Sequence, residues 1–150
     1  MSRIFVVTAL VLGLNATAIG QGTPVREALA AQKNPKGAKG RTLALSRVTV
    51  PAGAELALHH HTGTQVAYIE QGTLTYTVKS GGVTVRTGAA DDHPTVVRTI
   101  TAGHTGQIKA GQWIVEQPAT HHSAANRGTR EIVIYLANLL PNGDPPSVAG

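Results

Sequence analysis

Two histidines and a glutamine, closely spaced, are the residues of this chain best suited to chemistry. His59 and His61 lie two positions apart, and Gln65 follows after the short turn Thr62-Gly63-Thr64. Because side chains on a strand alternate between faces, His59 and His61 share one face while His60 points to the other. Neutral imidazoles are common ligands of transition metals. The spacing therefore predicts half of a metal site on one pair of strands.

The segment that holds these residues resembles the first signature motif of the cupin superfamily, G-x5-H-x-H-x3,4-E-x6-G. Gly53, His59, His61 and Gly72 occupy the fixed positions of that motif. Gln65 stands where the family has a glutamate. The first motif is thus met at every fixed position except one.

A second family motif, G-x5-P-x-G-x2-H-x3-N, is recognisable further along the chain at Gly111, Pro118, His122 and Asn126. The interval from Gly111 to Pro118 is one residue too long. The glycine expected after Pro118 is missing, and the interval to His122 is one residue too short. The resemblance covers roughly residues 43–140.

The resemblance implies a jelly-roll β-barrel in which His59, His61 and His122 converge on a divalent metal, with Gln65 in the place of the motif glutamate. An amide offers only a neutral oxygen, so the charge of the ion is left uncompensated. Such a donor set favours a transition metal (Fe, Zn, Ni, Cu or Mn) over Mg²⁺ or Ca²⁺. A metal-free pocket is the alternative, and His121 could replace His122 if the turn shifts. On this basis, Gln65→Glu is expected to tighten metal retention.

Glu116 and Trp113 lie in one predicted strand, Gln112–Glu116, and their roles depend on which face of that strand each side chain occupies. Glu116 is a candidate general acid or base if it faces the cavity, but an outward orientation is the preferred interpretation. Trp113 has the opposite parity on the strand, so the two side chains point to opposite faces. Trp113 is expected to pack rather than to bind substrate, and Asn126 to stabilise a turn near His122.

Length and composition indicate one exported domain. The chain has 150 residues, enough for one domain with a sizeable core. Arg3, the apolar run from Ile4 to Leu14 and the small residues Ala16-Thr-Ala18 and Gly20 predict a signal peptide over residues 1–20. The alternatives are an uncleaved anchor or a buried first strand. Cleavage would leave a secreted or periplasmic protein without a stable membrane anchor. The chain has no cysteine, so its core must stabilise it without disulfides.

The basic charge does not indicate a nucleic-acid partner. The formal net charge is +5, and much of the surplus lies in Lys33, Lys36, Lys39 and Arg41. These residues occupy a segment broken by glycine and proline, and aromatic residues make up only 3% of the chain. The interleaved basic and aromatic residues that stack bases are missing. A solvated linker is the preferred interpretation, and weak attraction to anionic cell surfaces is the second.

The remaining sequence predicts an all-β domain. Thr23-Pro24 followed by Val25–Ala31 predicts a short N-terminal helix. From residue 43 the chain alternates short β-prone segments with turns. The predicted strands are Leu43–Val50, Leu56–His61, Gln65–Glu70, Thr73–Val78, Val83–Thr87, Thr95–Thr101, Gln107–Lys109, Gln112–Glu116 and Glu131–Ala137.

The predicted organisation is therefore a signal peptide (1–20), an N-terminal arm and linker (21–42), a cupin domain (43–140) and a flexible tail (141–150). The additional segment Gly88–Gly106 includes Asp91-Asp92-His93-Pro94 and His104 and is expected to be a plain surface excursion. The alternatives are an extra hairpin and a loop over the barrel mouth. Cupins dimerise through sheet faces or exchanged N-terminal arms, and Thr23–Gln32 is a candidate for such a contact in a homodimer.

The resemblance implies several functions, because one fold serves many chemistries. A metal-dependent enzyme acting on a small organic molecule is the leading hypothesis, with a dioxygenase slightly ahead of other reactions. The alternative is a non-catalytic cupin module that binds a small molecule or a metal. A sugar-nucleotide epimerase is disfavoured, because no acid is clearly placed to pair with a pocket histidine.

Overall fold

The computed structural model describes residues 22–150, which form twelve strands and no helix. The predicted signal peptide (1–20) lies outside the described residues. The strands are β1 (Val25–Lys33), β2 (Arg41–Val50), β3 (Glu55–His60), β4 (Thr64–Gln71), β5 (Thr73–Ser80), β6 (Gly82–Thr87), β7 (Thr95–Thr101), β8 (Thr105–Lys109), β9 (Gln112–Glu116), β10 (His121–Ala125), β11 (Ile132–Pro141) and β12 (Val148–Ala149).

The strands form two antiparallel sheets that face each other. The larger sheet has the order β1-β2-β11-β4-β9-β6-β7, and the smaller has the order β12-β3-β10-β5-β8. Along several strands, alternate residues are buried between the sheets, as in Val48 and Val50 of β2 or Leu74, Tyr76 and Val78 of β5. This inner layer is apolar and buried, so it supplies the hydrophobic free energy that a domain without cysteine needs. The predicted all-β fold class is confirmed.

The N-terminal arm is a strand, and the prediction of a short helix there is wrong. Val25–Lys33 pairs antiparallel with β2, and Arg26 lies opposite Val48. The segment Val-Arg-Glu-Ala-Leu-Ala-Ala is a good helix former in isolation. Pairing with the long edge of β2 supplies a ladder of backbone hydrogen bonds that outweighs this weak local preference.

Among residues 22–150 there is no helix with the length and apolarity that a membrane crossing requires.

Two short strands, β10 and β12, are not predicted by the sequence pattern. β10 has the sequence His-His-Ser-Ala-Ala, which lacks β-branched residues, yet it pairs with β3 on one side and β5 on the other. β12 lies in the tail (141–150) for which flexibility is predicted. Its residues Val148 and Ala149 pair with His60 and His59 of β3. Both strands are held by their neighbours rather than by intrinsic β propensity.

The additional segment Gly88–Gly106 contains β7, which pairs with β6 as a hairpin at the edge of the larger sheet. Its tip, Asp91-Asp92-His93-Pro94, turns through a left-handed residue, His93, at φ 51°. None of these residues lines the central cavity. The segment therefore contributes to the hairpin that is one of the two alternative predictions, and it lies away from the cavity.

Gly63 lies where the chain crosses from the smaller sheet (β3) to the larger sheet (β4). A Cβ atom at this position would overlap the backbone carbonyl oxygen of Leu139 in β11. Only glycine permits this close approach of two backbones. The crossing matters because it connects the two histidines of the first motif to Gln65.

Gly63→Ala is predicted to lower the free energy of unfolding by roughly 1–3 kcal/mol, because β4 and β11 must separate to make room for the methyl group. Denaturant unfolding monitored by circular dichroism measures the change. Gly82→Ala is the matched control, since its Cβ would approach no atom closer than 3.3 Å. Equal losses in the two variants would contradict the account of the crossing.

Candidate metal centre

Three histidines from two adjacent strands and the following turn converge inside the barrel. His59 in β3 lies directly opposite His122 in β10, and their ring centroids are 4.3 Å apart. His61 follows β3, with its ring centroid 5.2 Å from that of His59 and 5.3 Å from that of His122. One ring nitrogen from each histidine can be chosen so that all three lie within 4.8 Å of one another. The convergence predicted for these three residues is confirmed.

Backbone carbonyls fix the tautomer of each ring. His59 Nδ1 lies 2.7 Å from the Ala57 oxygen, and His61 Nδ1 lies 2.6 Å from the Pro146 oxygen. His122 Nδ1 lies 3.4 Å from the Thr120 oxygen. A carbonyl oxygen only accepts hydrogen bonds, so each Nδ1 must carry the proton. The neutral form of each ring then has its lone pair on Nε2.

Glu116 faces the interior, and the preferred prediction of an outward orientation is wrong. Its side chain is almost completely buried, and Tyr76 donates a hydrogen bond to Oε1 over 2.7 Å. His122 Nε2 lies 3.2 Å from Oε1, and His61 Nε2 lies 3.4 Å from Oε2. On β9, Glu116 shares a face with the buried Ile114. A carboxylate from another strand therefore lies beside the interior histidines, and the prediction that no acid is placed to pair with them is wrong.

Gln65 lies at the site, directly opposite Glu116 in the pairing of β4 with β9. Its Nε2 donates a hydrogen bond to Glu116 Oε2 over 2.5 Å and lies 3.3 Å from His61 Nε2. The amide nitrogen therefore faces the carboxylate, while the buried carbonyl oxygen Oε1 has no hydrogen-bond partner among the described residues. In this orientation, the Gln65 amide nitrogen positions the Glu116 carboxylate, and the Gln65 carbonyl oxygen remains an unused acceptor.

The site holds Glu116 ionised and two of the histidines neutral. Burial alone would raise the pKa of Glu116, but the hydrogen bond from His61 and the charges of His122 and His61 outweigh it and lower the pKa to about 2. Burial lowers the pKa of His122 to about 4, despite the attraction of Glu116. Burial also lowers the pKa of His59.

His61 behaves differently from the other two histidines. Burial opposes its charged form, but the hydrogen bond and charge of Glu116 together raise the pKa of His61. A proton on His61 can therefore balance the carboxylate in the metal-free protein. Instead of a proton, a metal ion can bind the Nε2 lone pairs and the carboxylate together. The set of donor atoms therefore fits a bound cation.

Tyr76 supports the site from β5. Its ring stacks on that of His122 with centroids 4.7 Å apart and an angle of 18° between planes. Burial, together with the charge of Glu116, raises the pKa of the Tyr76 hydroxyl. The hydroxyl therefore stays protonated and donates to the carboxylate.

A cavity of about 370 Å³ opens beside the histidines. Its walls are mostly apolar side chains from both sheets, including Val48, Ile69 and Leu136. The first described strand and the tail also line it, through Arg26, Ser147 and Ala149 among others. This volume lies within the range of sites for small molecules.

His60 and His121 lie on the other face of the same strands, as the alternation predicts. Their rings contact each other with centroids 4.6 Å apart, and His121 Nδ1 lies 3.0 Å from Ser80 Oγ. Since His122 belongs to the interior group, the alternative in which His121 replaces it does not apply.

Trp113 and Asn126 have the expected packing and turn roles. The Trp113 indole N–H donates to the Gly88 oxygen on the side of β9 opposite Glu116. Asn126 is buried, and its amide donates to the Val50 and Arg130 oxygens over 2.9 Å and 2.7 Å. Asn126 thereby fixes the turn between β10 and β11.

No protein-family model matches the chain, and no curated protein matches it by sequence. Solved structures do resemble it. A cupin 2 domain-containing protein from Halorhodospira halophila aligns with 88% of this chain and 73% of its own, at 14% identity and a TM-score of 0.54. KdgF from Halomonas sp. aligns over 81% of each chain, at 19% identity and a TM-score of 0.51.

A cupin superfamily protein from Desulfitobacterium hafniense is similar to the same extent. The alignment covers 78% of this chain and 77% of that protein, at 13% identity and a TM-score of 0.51. At these identities the likeness establishes the fold and leaves the reaction open. Together with the two antiparallel sheets and the interior histidines, it confirms the resemblance seen in the motifs. The chain therefore has the fold of the cupin superfamily.

Proposed function

We propose that this chain binds one divalent transition metal through His59, His61 and His122, and that Glu116 supplies the negative charge at the site. The observation that supports this most strongly is the shared tautomer. Three Nδ1–H groups are committed to backbone carbonyls, so Nε2 is the nitrogen of each ring that is left to bind a cation beside the buried carboxylate. Lone pairs and a carboxylate repel one another unless a cation lies among them.

We assign Gln65 to the metal site, as the first motif predicts. It serves there either as an oxygen ligand or as the hydrogen-bond donor that holds Glu116. The orphaned Oε1 supports the first role, and the hydrogen bond to Glu116 supports the second. The metal would be Fe, Zn, Ni, Cu or Mn, since imidazole ligands favour these ions over Mg²⁺ and Ca²⁺. The Glu116 carboxylate on β9 supplies the negative charge that Gln65, unlike the motif glutamate, lacks.

The proposed activity is that of a metal-dependent enzyme, dioxygenase-like, acting on a small organic molecule. A bound transition metal would supply Lewis-acid or redox chemistry beside the cavity. Glu116 is the only carboxylate among the described residues that line the cavity, so it is the candidate to accept a proton. Tyr76, held in its protonated form, orients that carboxylate. We also propose export, on the basis of the signal peptide that the sequence predicts over residues 1–20; this activity would then lie outside the cytoplasm.

Removing one interior histidine should abolish metal retention. Purified wild-type protein is expected to contain about one equivalent of transition metal, and His122→Ala much less, because a three-nitrogen site loses a ligand. Elemental analysis by mass spectrometry measures both. His121→Ala is the matched control, since that adjacent ring lies on the other face, and it should retain metal. Equal metal in the two variants would refute the assignment.

Exchanging the two residues that face each other across β4 and β9 tests the role of the carboxylate. Glu116→Gln is predicted to weaken metal binding by about tenfold to a hundredfold, because it removes the one negative charge that the described residues bring to the site. Gln65→Glu should not tighten binding, contrary to the expectation from the motif alone, because it would place a second carboxylate against Glu116. The double exchange should recover most of the affinity.

Competition titration with a chromophoric chelator measures these affinities. Wild-type affinity in Glu116→Gln would show that the carboxylate plays no part in holding the metal. Tighter binding in Gln65→Glu would show that position 65 is the dominant ligand, as in the family motif.

Oxygen uptake separates an enzyme from a binding module. The metal-loaded protein is expected to consume dioxygen with at least one member of a panel of catechols, flavonols, thiols and keto acids. His122→Ala, which should lack the metal, controls for metal-independent oxidation. No uptake across the panel would favour the alternative, a non-catalytic cupin module that binds a small molecule or metal.

A further inference from the structure

Arg26 is the one basic side chain, other than the histidines, that lines the cavity among the described residues. It lies in β1 directly opposite Val48 of β2, and residues directly opposite in an antiparallel pair point to the same face. Val48 is buried between the sheets, so Arg26 is directed to the inner face at the mouth of the barrel. The sequence gives no hint of this, because a helix is predicted for the segment.

The guanidinium group has no acidic partner. No carboxylate of the described residues lies within 4.0 Å of it, whereas the same criterion identifies Arg127 with Glu55 on the surface. Glu116 is the only carboxylate that residues 22–150 contribute to the cavity, and it is already engaged by Tyr76, Gln65 and two histidines. Arg26 therefore keeps its hydrogen-bonding groups available for a ligand.

The surroundings of Arg26 favour an anion. Arg26 is exposed, as is the rest of β1, so its guanidinium can be reached by a ligand that enters the cavity. Partial burial lowers the pKa of Arg26, and the charge of Glu116 opposes this shift. An arginine remains charged under all ordinary conditions. Apart from Arg26, Ser147 and the site residues already described, the cavity is lined by apolar side chains.

We propose that Arg26 binds the carboxylate of a small organic acid, whose apolar body fills the cavity toward the histidines. The planar guanidinium matches a carboxylate through two parallel hydrogen bonds, and the low polarity of the walls strengthens them. This inference rests on the proposed function, because it names the substrate class of the same site. It assigns Arg26 a binding role that does not require it to touch the metal.

Benzoate and benzamide form a suitable pair of probes, because they share an apolar ring and differ in charge. Isothermal titration calorimetry on the metal-free protein and on the zinc-loaded protein measures their affinities. Arg26→Met is expected to weaken benzoate binding by about tenfold or more in both forms, since it removes a charge-assisted pair but keeps an apolar stem. Benzamide should bind weakly to the wild type and no more weakly to Arg26→Met.

Two further variants make the comparison specific. Arg47→Met, on the opposite face of β2 and outside the cavity, should bind benzoate like the wild type. Arg26→Lys should give an intermediate affinity, because it keeps the charge and loses the paired hydrogen bonds. Benzoate binding to Arg26→Met at wild-type affinity would overturn the proposal. So would the absence of binding by benzoate and hexanoate at millimolar concentration in the wild type.

The design separates this proposal from the metal site. Benzoate binding that depends on Arg26 in the metal-free protein would support the acid-binding role even if zinc failed to bind. Zinc retention by Arg26→Met at the wild-type level would support the role of Arg26 in ligand binding alone. Loss of zinc from that variant would instead show that Arg26 maintains the metal centre, and would overturn the proposal.

Discussion

The structure depends on one buried negative charge and the groups that surround it. A carboxylate withdrawn from water is costly unless hydrogen bonds and positive charge compensate it. Glu116 receives hydrogen bonds from Tyr76 and Gln65, and two imidazole nitrogens lie within 3.4 Å of its oxygens. A proton can provide the positive charge at His61, and a metal ion can provide it for the whole group. This requirement gives the interior of the barrel its chemistry.

The two sheets divide the task of building the site. The smaller sheet contributes His59 and His122 as directly opposed neighbours, and the larger contributes Gln65 and Glu116 in the same relation. His61 lies between the sheets, and its tautomer is fixed by a carbonyl of the C-terminal tail. β1 and that tail line the mouth of the cavity. Both ends of the described chain therefore contribute to a candidate site whose histidines lie between them in the sequence.

Much of the fold and of the candidate metal centre could be predicted from the sequence. Alternation placed His59 and His61 on one face, and motif spacing added His122 despite an irregular turn. The same alternation placed Glu116 opposite Trp113, but parity alone could not decide which of the two faces inward. The decisive fact is the pairing of β9 with β4, which is a long-range contact. β1 and the tail were missed because neighbouring strands hold them, and Arg26 was missed with them.

Nitrogen-15 NMR of the histidine rings tests the central claim most directly. In the metal-free protein, the rings of His59 and His122 should show a proton on Nδ1 and a lone pair on Nε2. Addition of zinc should shift the Nε2 resonances of His59, His61 and His122 together, and leave those of His60 and His121 unchanged. A proton on Nε2 in the neutral rings, or zinc shifts confined to the outer pair, would contradict the account.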